Sequence, residues 1–90
     1  MNVSVAEKRR EPRYPVRGTV LVRSENPGVR DIRGKLVDVS ASGFRMVHDC
    51  AALTAGQFVE FSHVEAKGRA RVVWTRILAE AVESGFVLAD

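Results

Sequence analysis

Ninety residues with 46% hydrophobic and 28% charged side chains make one ordinary globular domain and exclude wholesale disorder. No apolar run approaches the ~20 residues of a membrane span, and the opening MNVSVAEKRREPR lacks the hydrophobic stretch of a secretory signal, so a cytoplasmic location is expected. The net charge of +3 is concentrated in residues 1–38, where nine basic side chains stand against five acidic ones, whereas residues 39–90 hold five against six.

The chain opens with a basic arm, residues 1–16, in which Lys8, Arg9, Arg10 and Arg13 cluster. Pro12 and Pro15 stiffen the arm by fixing φ, and the apolar spacing over residues 1–8 is poor for a helix. Short β-branched or aromatic runs follow at 17–24 (RGTVLVRS), 34–40 (GKLVDVS) and 43–48 (GFRMVH). The stretch 49–56 (DCAALTAG) reads as a single helical turn capped by Asp49 and closed by Gly56. Three more runs complete the chain: 57–64 (QFVEFSHV), 69–78 (RARVVWTRIL) and 84–89 (SGFVLA). Turn residues such as Asn26-Pro27-Gly28, Ala41-Ser42 and Ala66-Lys67-Gly68 separate them.

Alternation directs Val20, Val22, Val37, Val39, Val59 and Phe61 into a core. It leaves 69–78 undecided, because Val72, Val73 and Trp74 are apolar on both faces. Strands this short and this evenly spaced predict an all-β antiparallel sandwich or small closed barrel over residues 17–90, and closure would remove the exposed edges of so small a sheet.

An enzyme has no cast in this sequence. His48 and His63 lack a neighbouring nucleophile in any motif, Cys50 sits in no catalytic signature, and no glycine-rich loop opens a helix. Both histidines read as strand-end surface residues and Cys50 as a small loop or core filler. The lone cysteine excludes an internal disulfide, and no zinc-ligand spacing is present, so neither catalytic residues nor a metal are expected.

Two stretches stand out. Arg9 and Arg13 lie four apart just ahead of the first strand, in a stiffened segment whose arginines lose less entropy on clamping a ligand. Arginine suits such a role because its planar guanidinium binds phosphate or carboxylate in a bidentate manner. In the second stretch, Val37 to Phe44, strand periodicity puts Asp38 and Ser40 on one face while Val37 and Val39 go to the core. Gly43 ends the turn, where it permits φ > 0 and close approach of a backbone or ligand. Each stretch alone also fits a bland reading, the first as a solvated basic tail and the second as a β-turn whose Asp and Ser cap their own backbone.

Together, in this order and at this distance, they resemble the two-part signature of the PilZ domain, a bacterial receptor module for the second messenger cyclic di-GMP. Arg9-Arg10-Glu11-Pro12-Arg13 fits R-x-x-x-R, and Asp38-Val39-Ser40-Ala41-Ser42-Gly43 fits [D/N]-x-S-x-x-G. The resemblance covers residues 7–89. It implies a six-stranded antiparallel barrel that holds the ligand on its outer surface against the arm. Arg9 and Arg13 would grip the phosphates and stack on or hydrogen-bond the guanines. Asp38 would accept from guanine N–H groups, Ser40 would donate to a phosphate or base, and Gly43 would leave room for the purine. Arg10 lies outside the motif and would add charge only. Many members of the family continue into a C-terminal helix, and the sequence as it stands leaves little or no room for one after the last strand.

The expected function is therefore a cyclic di-GMP-binding adaptor without enzymatic activity and without a further cofactor. Like charges in the arm would repel until the ligand pulls it onto the barrel, presenting a new surface to an as yet unidentified protein effector. One alternative is a small basic barrel for single-stranded nucleic acid, with Trp74, Phe44 or Tyr14 stacking bases. It is disfavoured because the six aromatic residues do not interleave with the arginines. The other is a protein-interaction module of the same fold that does not bind the nucleotide.

Overall fold

The structure is a computed structural model that describes residues 11–89. Seven strands form among the described residues: β1 (Tyr14–Pro15), β2 (Thr19–Ser24), β3 (Ile32–Ser40), β4 (Gly43–His48), β5 (Phe58–His63), β6 (Ala66–Ile77) and β7 (Val82–Ala89). Neighbours run β3-β2-β5-β6-β7-β4, and β4 pairs back onto β3, which closes six antiparallel strands into a barrel. The two-residue β1 is an addition to it. It lies on the same edge of β3 that β2 occupies further along, with Tyr14 opposite Val39 and Pro15 opposite Asp38. Between the two, the Leu36 N–H donates to the Gly18 carbonyl at 2.8 Å.

Period-two apolar patterning explains which side of each strand is buried. Val20, Val22, Val59 and Phe61 all face the core, as the alternation requires. The core is aromatic at its centre: Phe44 stacks nearly parallel on Phe86 at 4.5 Å and tilts against Phe61 at 4.7 Å, within the range of favourable ring contacts. On β3 the simple alternation fails. Ile32 and Leu36 are its buried hydrophobic residues, and a register shift against β4 falls between Leu36 and Asp38. Val37 is the extra residue of this bulge and is only half-buried, contrary to its expected core position, while Val39 returns to the core side. A second shift, between Val72 and Trp74, settles the ambiguous run on β6: Val72 is fully buried, Val73 bulges outward, and Trp74 faces the exterior.

No helix occurs among the described residues, so the helical turn expected over 49–56 is absent. Two tight turns replace it, with the Leu53 N–H on the Cys50 carbonyl and the Gln57 N–H on the Thr54 carbonyl, each at 3.2 Å. The reason lies in β6, where Val72 exchanges hydrogen bonds with this segment, accepting from Gly56 at 2.8 Å and donating to Gln57 at 2.9 Å. Gly56, at φ +93°, makes the turn that this pairing needs. Leu53 is thereby driven fully into the core.

The same connection corrects the expectation for His48, which is buried rather than on the surface. The Cys50 N–H donates to His48 Nδ1 at 3.1 Å, so the ring carries its proton on Nε2 and donates to Ser84 Oγ at 2.7 Å. Ser84 in turn donates to Thr75 Oγ1 at 2.6 Å, and Thr75 to the Leu53 carbonyl at 2.8 Å. This chain of neutral hydrogen bonds ties the connection to β4, β6 and β7. Cys50 is a buried core residue, as expected of a filler. No helix among the described residues is long and apolar enough to cross a membrane.

Candidate functional site

The site begins with a two-residue turn. Ala41 and Ser42 join β3 to β4 with Ser40 opposite Gly43, and counting back along the ladder puts Arg45 directly across from Asp38. The bulge at Val37 matters here as well. Ile32 and Leu36 set the inward face of β3, and uninterrupted alternation would send Asp38 inward with them. The extra residue returns Val39 to the core and turns Asp38 and Ser40 to the outer wall.

On that wall Asp38 is shared by two arginines. Arg13 Nε donates to Oδ1 at 3.0 Å, and its Nη1 reaches Ser40 Oγ at 3.3 Å. Arg45 Nε lies 3.0 and 3.1 Å from the two carboxylate oxygens, and its Nη2 also bonds Oδ2. The guanidiniums cover the carboxylate: the Asp38 side chain is 9% exposed, against 37% for Arg13 and 34% for Arg45. Hydrogen bonding from Arg45, and secondarily from Arg13, outweighs burial and holds the Asp38 carboxyl below its ordinary range. Next to this cluster, Glu11 accepts from Ser42 Oγ at 2.6 Å and from the Ser42 backbone N–H at 3.2 Å, and the hydroxyl bond is the main cause of its lowered pKa.

Arg13, Asp38 and Ser40, three of the residues singled out from the sequence, thus come together within hydrogen-bonding distance. Arg9 and Arg10 lie outside the described residues. The arm was expected to stand off the barrel without ligand, but from Glu11 to Pro15 it is fastened there by Glu11–Ser42, Arg13–Asp38 and the β1–β3 pairing. Carboxylate and hydroxyl partners on the barrel outweigh the like-charge repulsion assumed for Arg13.

Gly43 differs from expectation in its physical role. It is buried, its φ is not positive, and a Cβ there would run into the β7 backbone, meeting the Phe86 carbonyl group and lying 3.2 Å from Val87 Cα. The residue is small so that two strands can approach each other, and its Cβ side offers no open space for a purine.

Sequence reasoning missed Arg45, which carries no motif. The two-residue turn was the available signal, since it fixes the residue opposite Asp38 by counting. It also gave Trp74 a role only in the nucleic-acid alternative. Gly85 of β7 lies opposite both Arg45 and Trp74, so Asp38, Arg45, Gly85 and Trp74 form one row across four strands on the outer wall. At ~4.8 Å per strand the row is about 14 Å wide. A Cβ on Gly85 would overlap the indole, which means that the Trp74 ring lies over this glycine. Arg76 stands 5.4 Å from the ring centre and is anchored to Glu83 at 2.8 Å. Two guanidiniums, a carboxylate, a hydroxyl and a half-exposed indole on one wall suit a planar ligand that carries both negative charge and hydrogen-bonding edges. No group of His, Cys, Asp or Glu side chains among the described residues is arranged to hold a metal ion.

The family model described as PilZ domain matches residues 7–88, a span that contains both arginine-motif positions as well as Asp38, Ser40 and Gly43. No match was found among curated proteins.

Proposed function

The chain belongs to the PilZ domain family of binding and receptor modules, and from that premise we propose that it binds cyclic di-GMP on the Asp38–Trp74 row and acts as a non-enzymatic adaptor. The observation that carries this reading is the convergence of Arg13, Asp38 and Ser40 at 3.0–3.3 Å on the outer wall. Binding is an exchange of partners. A ligand phosphate replaces Asp38 as the counterion of Arg13, with Arg9 gripping alongside. The released Oδ1 accepts from a guanine N–H while Arg45 keeps its hold on the carboxylate, so no charge is left uncompensated at any stage. Ser40 Oγ donates to a phosphate or base oxygen, and the exposed face of the Trp74 indole takes a purine by stacking. Gly43 serves indirectly, by holding β7, whose Gly85 lies under the Trp74 indole of β6, close to β4. Moving Arg13 from Asp38 to a phosphate shifts the arm, which then offers a changed surface to a protein effector.

Trp74 is the only tryptophan, so its fluorescence reports on the site directly. Titration with cyclic di-GMP should change the emission saturably, and Arg13→Ala should weaken binding at least about tenfold, the loss of one charge-assisted hydrogen bond. The adenine counterpart should bind more weakly, because adenine has no N1–H to donate to Asp38. Absence of binding, or equal affinity in Arg13→Ala, would overturn the reading. Displacement by a short single-stranded oligonucleotide at equal concentration would favour the nucleic-acid alternative.

A further inference from the structure

The nucleotide reading leaves most of the charge in the first half of the chain unused. Among its basic residues Arg13 is paired with Asp38, Arg23 with Asp31 at 3.6 Å and Arg30 with Asp49 at 2.7 Å. Arg17, Arg33 and Lys35 are exposed and have no carboxylate within ion-pairing distance among the described residues. They share one side of the barrel. Lys35 lies opposite Thr19 and Arg33 opposite Leu21, which is itself opposite Ser62 of β5. Arg17 precedes Gly18, against which Val64 packs. Two apolar side chains, Leu21 at 47% and Val64 at 67% exposure, therefore lie among three cations. A groove of about 570 Å³ runs along this wall, lined by Leu21, Arg33 and Ser62 and, toward its other end, by Arg23, Asp31 and Glu60.

We propose that the outer wall of β3, β2 and β5 is a docking face for an extended acidic segment of a partner protein. Its carboxylates would meet Arg33, Lys35 and Arg17, and one apolar side chain would sit in the groove against Leu21. Spacing favours an extended partner: Arg33 and Lys35 are two residues apart on one strand, roughly 7 Å, which is the distance between alternate side chains of another extended chain. Composition favours a protein over other polyanions. The groove has no exposed aromatic ring on which bases could stack, since its one aromatic residue, Phe61, is buried at 5% exposure. Asp31 and Glu60 would repel a continuous anionic surface such as a membrane, whereas a peptide can place its carboxylates to avoid them. The proposal does not depend on the nucleotide. Arg17 nevertheless lies four residues beyond Arg13, so the face begins where the ligand-gripping arm joins the barrel.

The test uses the full chain, isotope-labelled, and a short acetylated peptide with Glu at alternate positions, one central Leu and Ser elsewhere. Saturable amide shifts confined to residues 17–23, 32–35 and 60–64 are expected. Charge reversal by Arg33→Glu with Lys35→Glu should weaken the peptide at least tenfold, and the milder Arg33→Gln with Lys35→Gln should weaken it in the same direction. Both variants should keep the wild-type melting temperature, and a peptide with Lys in place of Glu should not bind. Shifts on the Asp38–Trp74 row instead, or unchanged affinity in the Gln variant, would overturn the proposal. So would phosphatidylserine vesicles binding through Arg33 and Lys35 while the peptide does not. Cyclic di-GMP added to the same sample reads the Asp38–Trp74 row through different side chains, so either site can fail without the other.

Discussion

Replacing Asp38 by Asn keeps the shape of the side chain and removes the charge that Arg13 and Arg45 share. A hydrogen bond to a charged group contributes about 1.5–3 kcal/mol when water is excluded. Here each guanidinium keeps roughly a third of its surface in solvent, at 37% and 34% exposure, so the gain is screened. Taking both arginines together, the loss should be about 2 kcal/mol, which in a domain of this size lowers the melting temperature by about 10 °C. The pH dependence gives an independent check. The folded pKa of Asp38 is lowered, mainly by Arg45, so its contribution is complete above the unfolded carboxyl range and is lost as pH falls through the folded value. The gap between wild type and Asp38→Asn should therefore be widest near neutral pH and narrow toward about pH 3. Melting curves followed by Trp74 emission across that range measure both effects, and a double-mutant cycle with Arg45→Gln should return a coupling of about 1 kcal/mol. A melting temperature within about 2 °C of wild type, or a gap that does not change with pH, would mean that the carboxylate is merely a solvated surface partner.

Gly43→Ala should lower stability by about 3 kcal/mol, because its Cβ meets the β7 backbone rather than a side chain that can turn aside; a chemical-denaturation midpoint close to wild type would refute this. His48 is neutral in the fold, with burial pushing its pKa down and Arg30 adding to the effect against Asp49. The unfolded chain takes up a proton near pH 6.5, so stability should be full above that value and fall as pH drops below it. His48→Gln should be less stable at neutral pH and show a flatter decline, although His63, shifted the same way by burial, preserves part of the slope. Amide exchange across residues 5–16 should change when cyclic di-GMP is added, because Arg13 trades Asp38 for a phosphate; unchanged exchange alongside confirmed binding would remove the arm from the relay.

Much of this protein was decided within short stretches of chain. Alternation in TVLVRS and FVEFSH is a local property with one buried side, so β2 and β5 and the inward facing of Val20, Val22, Val59 and Phe61 were legible directly. The spacing of Arg13, Asp38 and Ser40 was legible for the same reason, since their residue types and separations are written in the chain. The bulges at Val37 and Val73 were not, because an extra residue in one strand has meaning only against the strand it pairs with. Arg45 and Trp74 became neighbours of the site only once β4, β7 and β6 lay side by side, and the size limit at Gly43 is set by a backbone more than forty residues away. His48 was misjudged as a surface residue because its burial depends on a connection drawn over it by the hydrogen bonds of Val72. Facing and motif spacing follow from side chains a few residues apart, whereas register, close backbone approach and burial at strand ends are properties of pairs of segments, and closure of the barrel chose those pairs.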